Sequence, residues 1–498
     1  MKILLFSMPD SFEHMPTIGI RMPNGALTSL AGNVDPHHQV AVADLILVQR
    51  RVRETVENLV REWEPDVVGL SVMTFQRKTA FKIIELVRSL RPGVRIVVGG
   101  YDPSLATAAY TEQSCAVVDF IVKGEGEATL RELLRALEGR RDLGGIAGLS
   151  YRSDGGFCHN RERPINSLEG GEIRLPNRGA RVLKGYTLLG RQVDVIETSR
   201  GCTYDCSFCS IIEMRGRNFH TYAFDRVLAD IRDAQKHGAR SIFIVDDNIT
   251  LNVHRFEALC RAIIEAGLNK MEYTLQAMTS AIANHGDTLA PLMRQAGFRY
   301  VFLGIENILE EDLEFLRASS KNMERHDGQR VGNASLKAIQ YLHENKMFVV
   351  GGLIVGNPED TRESIQANLE FAREYIDWPY IQHPTPYPRT PMTKDFQERN
   401  LIINEQLEEY DGTTAVVRSE HLSAEEIEFM RWRAERWMKT HHMADAFVHS
   451  PLFVLRNSWK MFAHTFRGST IRSLLGLEAE QTAFQRYRAI RRAERAYL

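Results

Sequence analysis

Over the first 140 residues, short apolar runs alternate with longer stretches of helical periodicity. KILLFSM and VAVADLIL precede the charged stretch VRETVENLVREW, and DVVGLSVM precedes TAFKIIELVRSL. RIVVGG and DFIVKGEGE follow, the latter leading into the amphipathic ATLRELLRALEG. Short apolar runs predict buried strands, and the 3.6-residue pattern predicts helices between them. Strands alternating with helices predict a parallel, doubly wound α/β sheet of the Rossmann-like kind over residues 1–140, with ligands in the crevice beyond the carboxyl ends of its strands.

Residues 141–190 lose this rhythm and are rich in Gly, Arg and Pro (DLGGIAGLSYRSDGG, RERPINSLEGG, RLPNRG), which predicts a linker with room for one hairpin. Over residues 191–400 the alternation returns in VDVIETS, SIFIVDD, MEYTLQA, YVFLGIE, FVVGGLIVG and YIQHPTPYP. These six strands with intervening helices predict a partial (β/α)6 barrel of the triosephosphate isomerase type, with its reacting groups at the carboxyl ends of the strands. Residues 401–498 lack strand signals and predict a helical region, beginning with the capping-box pair Ser423 and Glu426.

A chain of 498 residues exceeds what one core usually supports, in keeping with several domains. The formal charge of -2 gives no reason to expect a nucleic-acid partner. The opening MKILLFSMPD reads as a strand rather than a signal peptide, and no run of 18 apolar residues occurs, so a cytoplasmic protein is expected. Between residues 450 and 498 nine Arg or Lys stand against three Glu, interleaved with Phe, Trp and Leu. Such a tail is either the solvated face of a helical cap or a peripheral contact with the inner face of a membrane.

Six cysteines are too few and too unevenly placed for a disulfide framework. Cys115, Cys158 and Cys260 stand alone and read as incidental thiols. Cys202, Cys206 and Cys209 instead share one window, TSRGCTYDCSFCS. Three thiolates on one tight loop can each reach a different iron of a 4Fe-4S cubane and leave the fourth iron without a protein ligand. An open iron can chelate S-adenosyl-L-methionine (SAM), pass an electron to its sulfonium and release a deoxyadenosyl radical. The alternatives are a zinc site closed by His220 and an iron-sulfur electron carrier or sensor, which more usually has four cysteines.

With Phe208, the three cysteines resemble the signature of the radical SAM superfamily. The resemblance implies that Asp246, Asp247 and Asn248 in FIVDDNIT bind the methionine amino end, although adjacent acids there could also cap the next helix. It further implies ribose and carboxylate contacts from Gln276 and Glu306, and an adenine site beside Gly352 and Val355 in GGLIVGNPED. TPYPRTPM matches a stretch that usually carries Gly where this chain has Arg389, which suggests a cationic contact to an anionic substrate or cofactor.

The stretches DVVGLSVMT, RIVVGGYDPS, DFIVKGEGEATLRELL and GLSYRSDG resemble the cobalamin-binding domain fused to one radical SAM subfamily. That resemblance implies contacts from Ser71, Thr74, Gly99, Gly100, Tyr101, Gly124 and Glu125, where hydroxyls and bare backbone can approach a flat macrocycle. The Asp-x-His-x-x-Gly pattern of histidine-ligated cobalt is absent: Asp35 and His37 are followed by Val40 where Gly is needed. The subfamily includes class B methylases and anaerobic tetrapyrrole cyclases. It implies methylation of an unactivated carbon through a 5′-deoxyadenosyl radical and methylcobalamin, or else ring closure, ring contraction or oxidation. The implied partners are a small-molecule substrate, lipid-like or tetrapyrrole-like, and an external one-electron reductant such as a flavodoxin or ferredoxin.

Overall fold

The computed structural model describes residues 1–12, 17–112, 118–154, 156–165, 167–326, 329–494 and 497–498; Cys115 lies outside them. Strands β1 (Lys2–Ser7), β2 (Gln39–Asp44), β3 (Val67–Ser71), β4 (Arg95–Gly99) and β5 (Phe120–Val122) form a parallel sheet in the order β2-β1-β3-β4-β5. Successive residues of β1 feed two separate cores. Leu4 and Phe6 enter one and Ile3 and Leu5 the other, as expected of a strand buried on both faces. Helices α1 (Gly25–Asn33) and α4 (Gly126–Gly139) cover the second core, and α2 (Val52–Trp63) and α3 (Arg77–Leu90) the first.

The segment expected as linker is not free. Strands β6 (Leu149–Ser153) and β7 (Gly156–His159) form an antiparallel hairpin that extends the first sheet from β5. The residues that follow lace the two halves together. Asn177 and Val182 donate backbone N–H groups to Thr28 and Val42, and the Tyr186 hydroxyl donates to Asp44 at 2.7 Å. Arg178, buried, reaches Asp194 at 3.0 Å and Asp230 at 2.6 Å in the second half.

Strands β8 (Arg191–Ile196), β9 (Ser241–Ile244), β10 (Glu272–Met278), β11 (Phe298–Glu306), β12 (Phe348–Ile354) and β13 (Trp378–Gln382) run parallel in chain order. Helices α5 (Phe224–Lys236), α6 (Val253–Glu265), α7 (Thr279–Ala296), α8 (Ser335–Glu344) and α9 (Arg362–Tyr375) intervene. Alternation along β10 shows the layering: Tyr273, Leu275 and Ala277 join the core, whereas Thr274 is half-buried and Gln276 exposed on the opposite face. This is the six-stranded partial barrel that the sequence predicts.

Helices α10 (Ala424–His441), α11 (Pro451–Thr465) and α12 (Glu480–Glu494) close the chain. Ser423 caps α10 reciprocally with Glu426. Much of the basic charge in the tail is spent internally. Arg491 is buried against Asp411 at 2.6 Å, Arg486 pairs with Glu478 at 2.7 Å, and Arg492 reaches Glu409 at 3.4 Å. Among the described residues no helix is long and apolar enough to cross a membrane.

Candidate functional site

The three cysteines lie on the loop that follows β8, and this loop is held from several directions. Gly201 has φ +90°, and a Cβ there would stand 2.4 Å from the Asn218 carbonyl oxygen, so the turn into Cys202 requires glycine. Its N–H donates to Asp247 at 2.7 Å. Ser207 donates its N–H to Leu316 and its hydroxyl to Phe315, and accepts from the Met392 N–H, each at 2.9 Å. Phe208 packs on the apolar cluster containing Leu316, Ile354 and Met392. Segments after β11 and β13 therefore brace the cluster loop.

Cys206 is buried, and Cys202 and Cys209 are half-buried. Burial pushes the Cys209 thiol up to about 12 and the Cys206 thiol upward as well. Thiols in such surroundings ionise when a metal centre compensates the charge. Among the described residues the three sulfurs do not all fall within the 4.8 Å spacing of a shared single ion. His220 is the register partner of Arg200 in the short bridge of Ser199–Arg200 to His220–Thr221.

The residues expected to contact SAM divide into two groups. Asn248 donates to Cys202 Sγ at 3.5 Å, and Gln276 is exposed on the β10 face turned away from the core. Glu306, at the end of β11 with φ +61°, pairs with Lys321 at 2.5 Å. The Lys321 ammonium in turn lies 5.4 Å from the Phe208 ring centroid. Gly352 leaves space for Phe302, whose ring would meet a Cβ there at 2.9 Å.

Two expectations are corrected. Asp246 is buried beneath the loop and accepts from the Thr198 N–H and from the hydroxyls of Thr198 and Ser199, so it neither faces a ligand nor caps a helix. Val355 is fully buried, its N–H donating to Gln382 and its carbonyl accepting from His383, so it does not present the exposed surface expected beside an adenine. Arg389 approaches Glu213 at 3.9 Å on the protein's own loop.

The doubly wound domain presents its carboxyl ends to this loop. Ser71 and Gly99 terminate β3 and β4, and Thr74 is buried just beyond β3. Gly100 has φ +100°, with a would-be Cβ 2.9 Å from the Val72 carbonyl; Gly124 has φ +69° and looks towards the Met214 carbonyl at 3.9 Å. Both glycines leave bare backbone at the crevice, as a closely approaching flat ligand needs. Tyr101 lies where burial and the Asp247 carboxylate push its hydroxyl pKa up while Arg215 opposes them.

Arg215 bridges the halves, 3.4 Å from Glu125 and 3.7 Å from Asp247. Burial raises Glu125 despite two nearby arginines, and its Oε2 has no hydrogen-bond partner, leaving a buried acceptor at the domain junction. Phe12 and Phe75 of the first domain and Tyr380 and Phe302 of the barrel form a chain of tilted and edge-on ring contacts, with centroid separations of 5.3 Å (Phe12–Phe75), 6.5 Å (Phe12–Tyr380) and 5.7 Å (Phe302–Tyr380). His37 and His38 precede β2, at the amino end of the sheet and away from the crevice, and Asp35 beside them is held by Arg135 and Arg174.

Sequence reasoning misses Lys321, Arg215, Arg200 and the aromatic group. Lys321, Arg215 and the aromatic group lie outside the cysteine window, and Arg200, although inside it, acquires its role through Glu127, distant in sequence.

A doubly wound domain facing a three-cysteine barrel across one crevice defines a class of two-cofactor radical enzymes. Family comparison agrees: the B12 binding domain matches residues 12–134, and the Radical SAM superfamily matches residues 196–372. The chain belongs to the radical SAM enzymes that carry an amino-terminal B12-binding domain. It is 28% identical over 430 residues to an uncharacterized methyltransferase of Pyrococcus horikoshii, covering 86% of this chain and 90% of that protein. It is 26% identical over 452 residues to the anaerobic magnesium-protoporphyrin IX monomethyl ester cyclase of Synechocystis, covering 88% and 84% respectively. The fold resembles that of the cobalamin-dependent SAM radical enzyme OxsB, with TM-score 0.65 and 18% identity, covering 99% of this chain and 71% of that one.

Proposed function

We propose that this chain is a cobalamin-dependent radical SAM methyltransferase acting on an unactivated carbon of a small molecule. The observation that carries the reading is the meeting of two sites at one crevice: Gly100, Tyr101, Gly124 and Glu125 on one side, the cysteine loop with Asp247 and Arg215 on the other. When bound, the 4Fe-4S cluster and SAM supply a 5′-deoxyadenosyl radical that takes a hydrogen atom from carbon, and cobalamin supplies the methyl group that replaces it.

The chain's own residues prepare this chemistry. Cys202, Cys206 and Cys209 are the cluster ligands, and Gly201, Ser207 and Phe208 fix their loop. Asn248 and Gln276 offer polar groups to SAM, and Gly99, Gly100 and Gly124 keep side chains out of the macrocycle's path. Phe12, Phe302 and Tyr380 form an apolar, aromatic wall suited to a lipid-like or tetrapyrrole-like substrate. An external one-electron donor of the flavodoxin or ferredoxin type completes the set.

The Pyrococcus relative's name supports methyl transfer, and the cyclase likeness supports a second reading, ring formation without it. Incubation with methyl-deuterated SAM, reductant, cobalamin and an apolar substrate panel separates them by mass spectrometry. Gain of a labelled methyl supports the proposal, whereas an unlabelled product that has only lost hydrogen overturns it in favour of the second reading.

A further inference from the structure

Of the seventeen large apolar side chains that remain exposed among the described residues, eleven lie between Trp437 and Leu477. Such concentration differs from the scattered exposure normal for a protein surface. Helix α11 is turned inside out. Its inner face carries Val454 and Phe453, the latter packed where a Cβ on Gly190 would stand 3.2 Å from the ring. Its outer face carries Leu452, Leu455, Trp459 and Phe462, with Leu452 67% and Trp459 75% exposed. Their spacing of three, four and three residues places them along one stripe. Ile471 and Leu475, on the short helical segment that follows and its C-cap, are exposed as well.

Charge selects the occupant of this face. From residue 446 to residue 477 there is no Asp or Glu, whereas Arg456, Lys460, Arg467 and Arg472 all occur there. Arg456 and Lys460 are exposed one turn apart beside the apolar stripe. The basic residues Arg486, Arg488, Arg491 and Arg492 of α12 face acidic partners instead, and Arg472 lies near Glu478, which leaves Arg456 and Lys460 as the basic pair on the α11 face. The apolar stripe of α11, bearing Trp and Phe and flanked by the exposed Arg456 and Lys460, matches the interface between headgroups and acyl chains of an anionic bilayer.

We propose that α11 and the turn after it dock the enzyme onto an anionic phospholipid surface, with Leu455 and Trp459 inserted below the headgroups and Arg456 and Lys460 at their level. The surface is built from residues outside the catalytic crevice, so binding is independent of cofactor loading and of the methyl-transfer reading.

The test is cosedimentation of the full chain with sucrose-loaded vesicles of phosphatidylglycerol and phosphatidylcholine, against vesicles of phosphatidylcholine alone. Partitioning at least about tenfold stronger to the anionic vesicles at low salt is expected, given several basic residues at the surface. The double variant Leu455→Glu, Trp459→Glu should lose that preference, and Arg456→Glu, Lys460→Glu should lose its salt dependence. Both variants should keep the wild-type circular dichroism spectrum and Tm, because the replaced side chains are solvent-facing. Absent vesicle binding, or binding unchanged in the first variant, overturns the proposal. A wild-type dimer that Trp459→Glu dissociates, without vesicle binding, assigns the face to a second copy of the chain and overturns it as well.

Discussion

Arg200 donates to Glu127 at 2.7 Å across the domain boundary, two residues before the first cluster cysteine. Glu127 also accepts from Ser29 at 2.7 Å, and Arg200 reaches Glu197 at 2.7 Å. The loop that carries the cluster ligands is thus tied to the first helical turn after β5 of the other domain.

Glu127 is buried, yet these partners hold its carboxyl at about 2, below the ordinary 4.5. A depressed carboxyl stabilises the fold fully above pH ~5, and that contribution is lost as pH falls through 4.5 towards 2. Glu127→Gln should lower stability by about 3 kcal/mol near neutrality by leaving Arg200 undercompensated, and by less in acid. Urea unfolding of both proteins at pH ~7 and pH ~3 measures the difference; an equal loss at the two values would contradict the ion-pair account.

Asp246 accepts three hydrogen bonds from Thr198 and Ser199, and its replacement should act on the loop rather than on SAM. Asp246→Ala leaves buried donors without an acceptor, at a cost of about 2–4 kcal/mol. Iron content after anaerobic reconstitution should fall, while equilibrium dialysis of the loaded fraction finds SAM affinity unchanged. The converse result, full iron and weakened SAM, would make Asp246 a ligand contact.

Lys321 and Glu306 form a mostly buried pair beside the cluster loop. Lys321→Met should destabilise by about 3 kcal/mol by stranding the carboxylate, and adding Glu306→Leu should recover part of that loss. Thermal unfolding of the two single variants and the double variant gives the coupling. Additive losses would show that the pair does not act as a unit.

Arg389 has φ +69°, a conformation that costs most side chains about 1 kcal/mol and glycine little. Its contact with Glu213 is long and largely exposed and offsets little. Arg389→Gly should be more stable by a few tenths to about 1 kcal/mol in denaturant titration. A loss of stability would mean that the guanidinium makes a contact worth more than the strain.

The sequence carries the local order of the fold clearly. Helix α2 coincides with VRETVENLVREW, and five of the six barrel strands fall on the expected apolar runs, because period and capping are local properties; the sixth, Trp378–Gln382, overlaps only the first three residues of YIQHPTPYP. The cysteine spacing is equally local. The role of Asp246 could not be read, since an acid after a strand looks the same whether it faces a ligand or the preceding loop. Val355 looked available in a glycine-rich stretch, but packing against Leu353 and Ile381 is a tertiary property. The tail shows the same limit: counting charges cannot separate Arg491, buried on Asp411, from Arg456 on the open face.

Radical generation at Cys202, Cys206 and Cys209 is the central claim, and 5′-deoxyadenosine formation tests it most directly. The anaerobically reconstituted chain, given SAM and a strong one-electron reductant, should release 5′-deoxyadenosine, and the Cys206→Ala protein should not. Release no greater than that of the cluster-free protein would contradict the account and leave the cysteine loop as an electron-carrying or structural site.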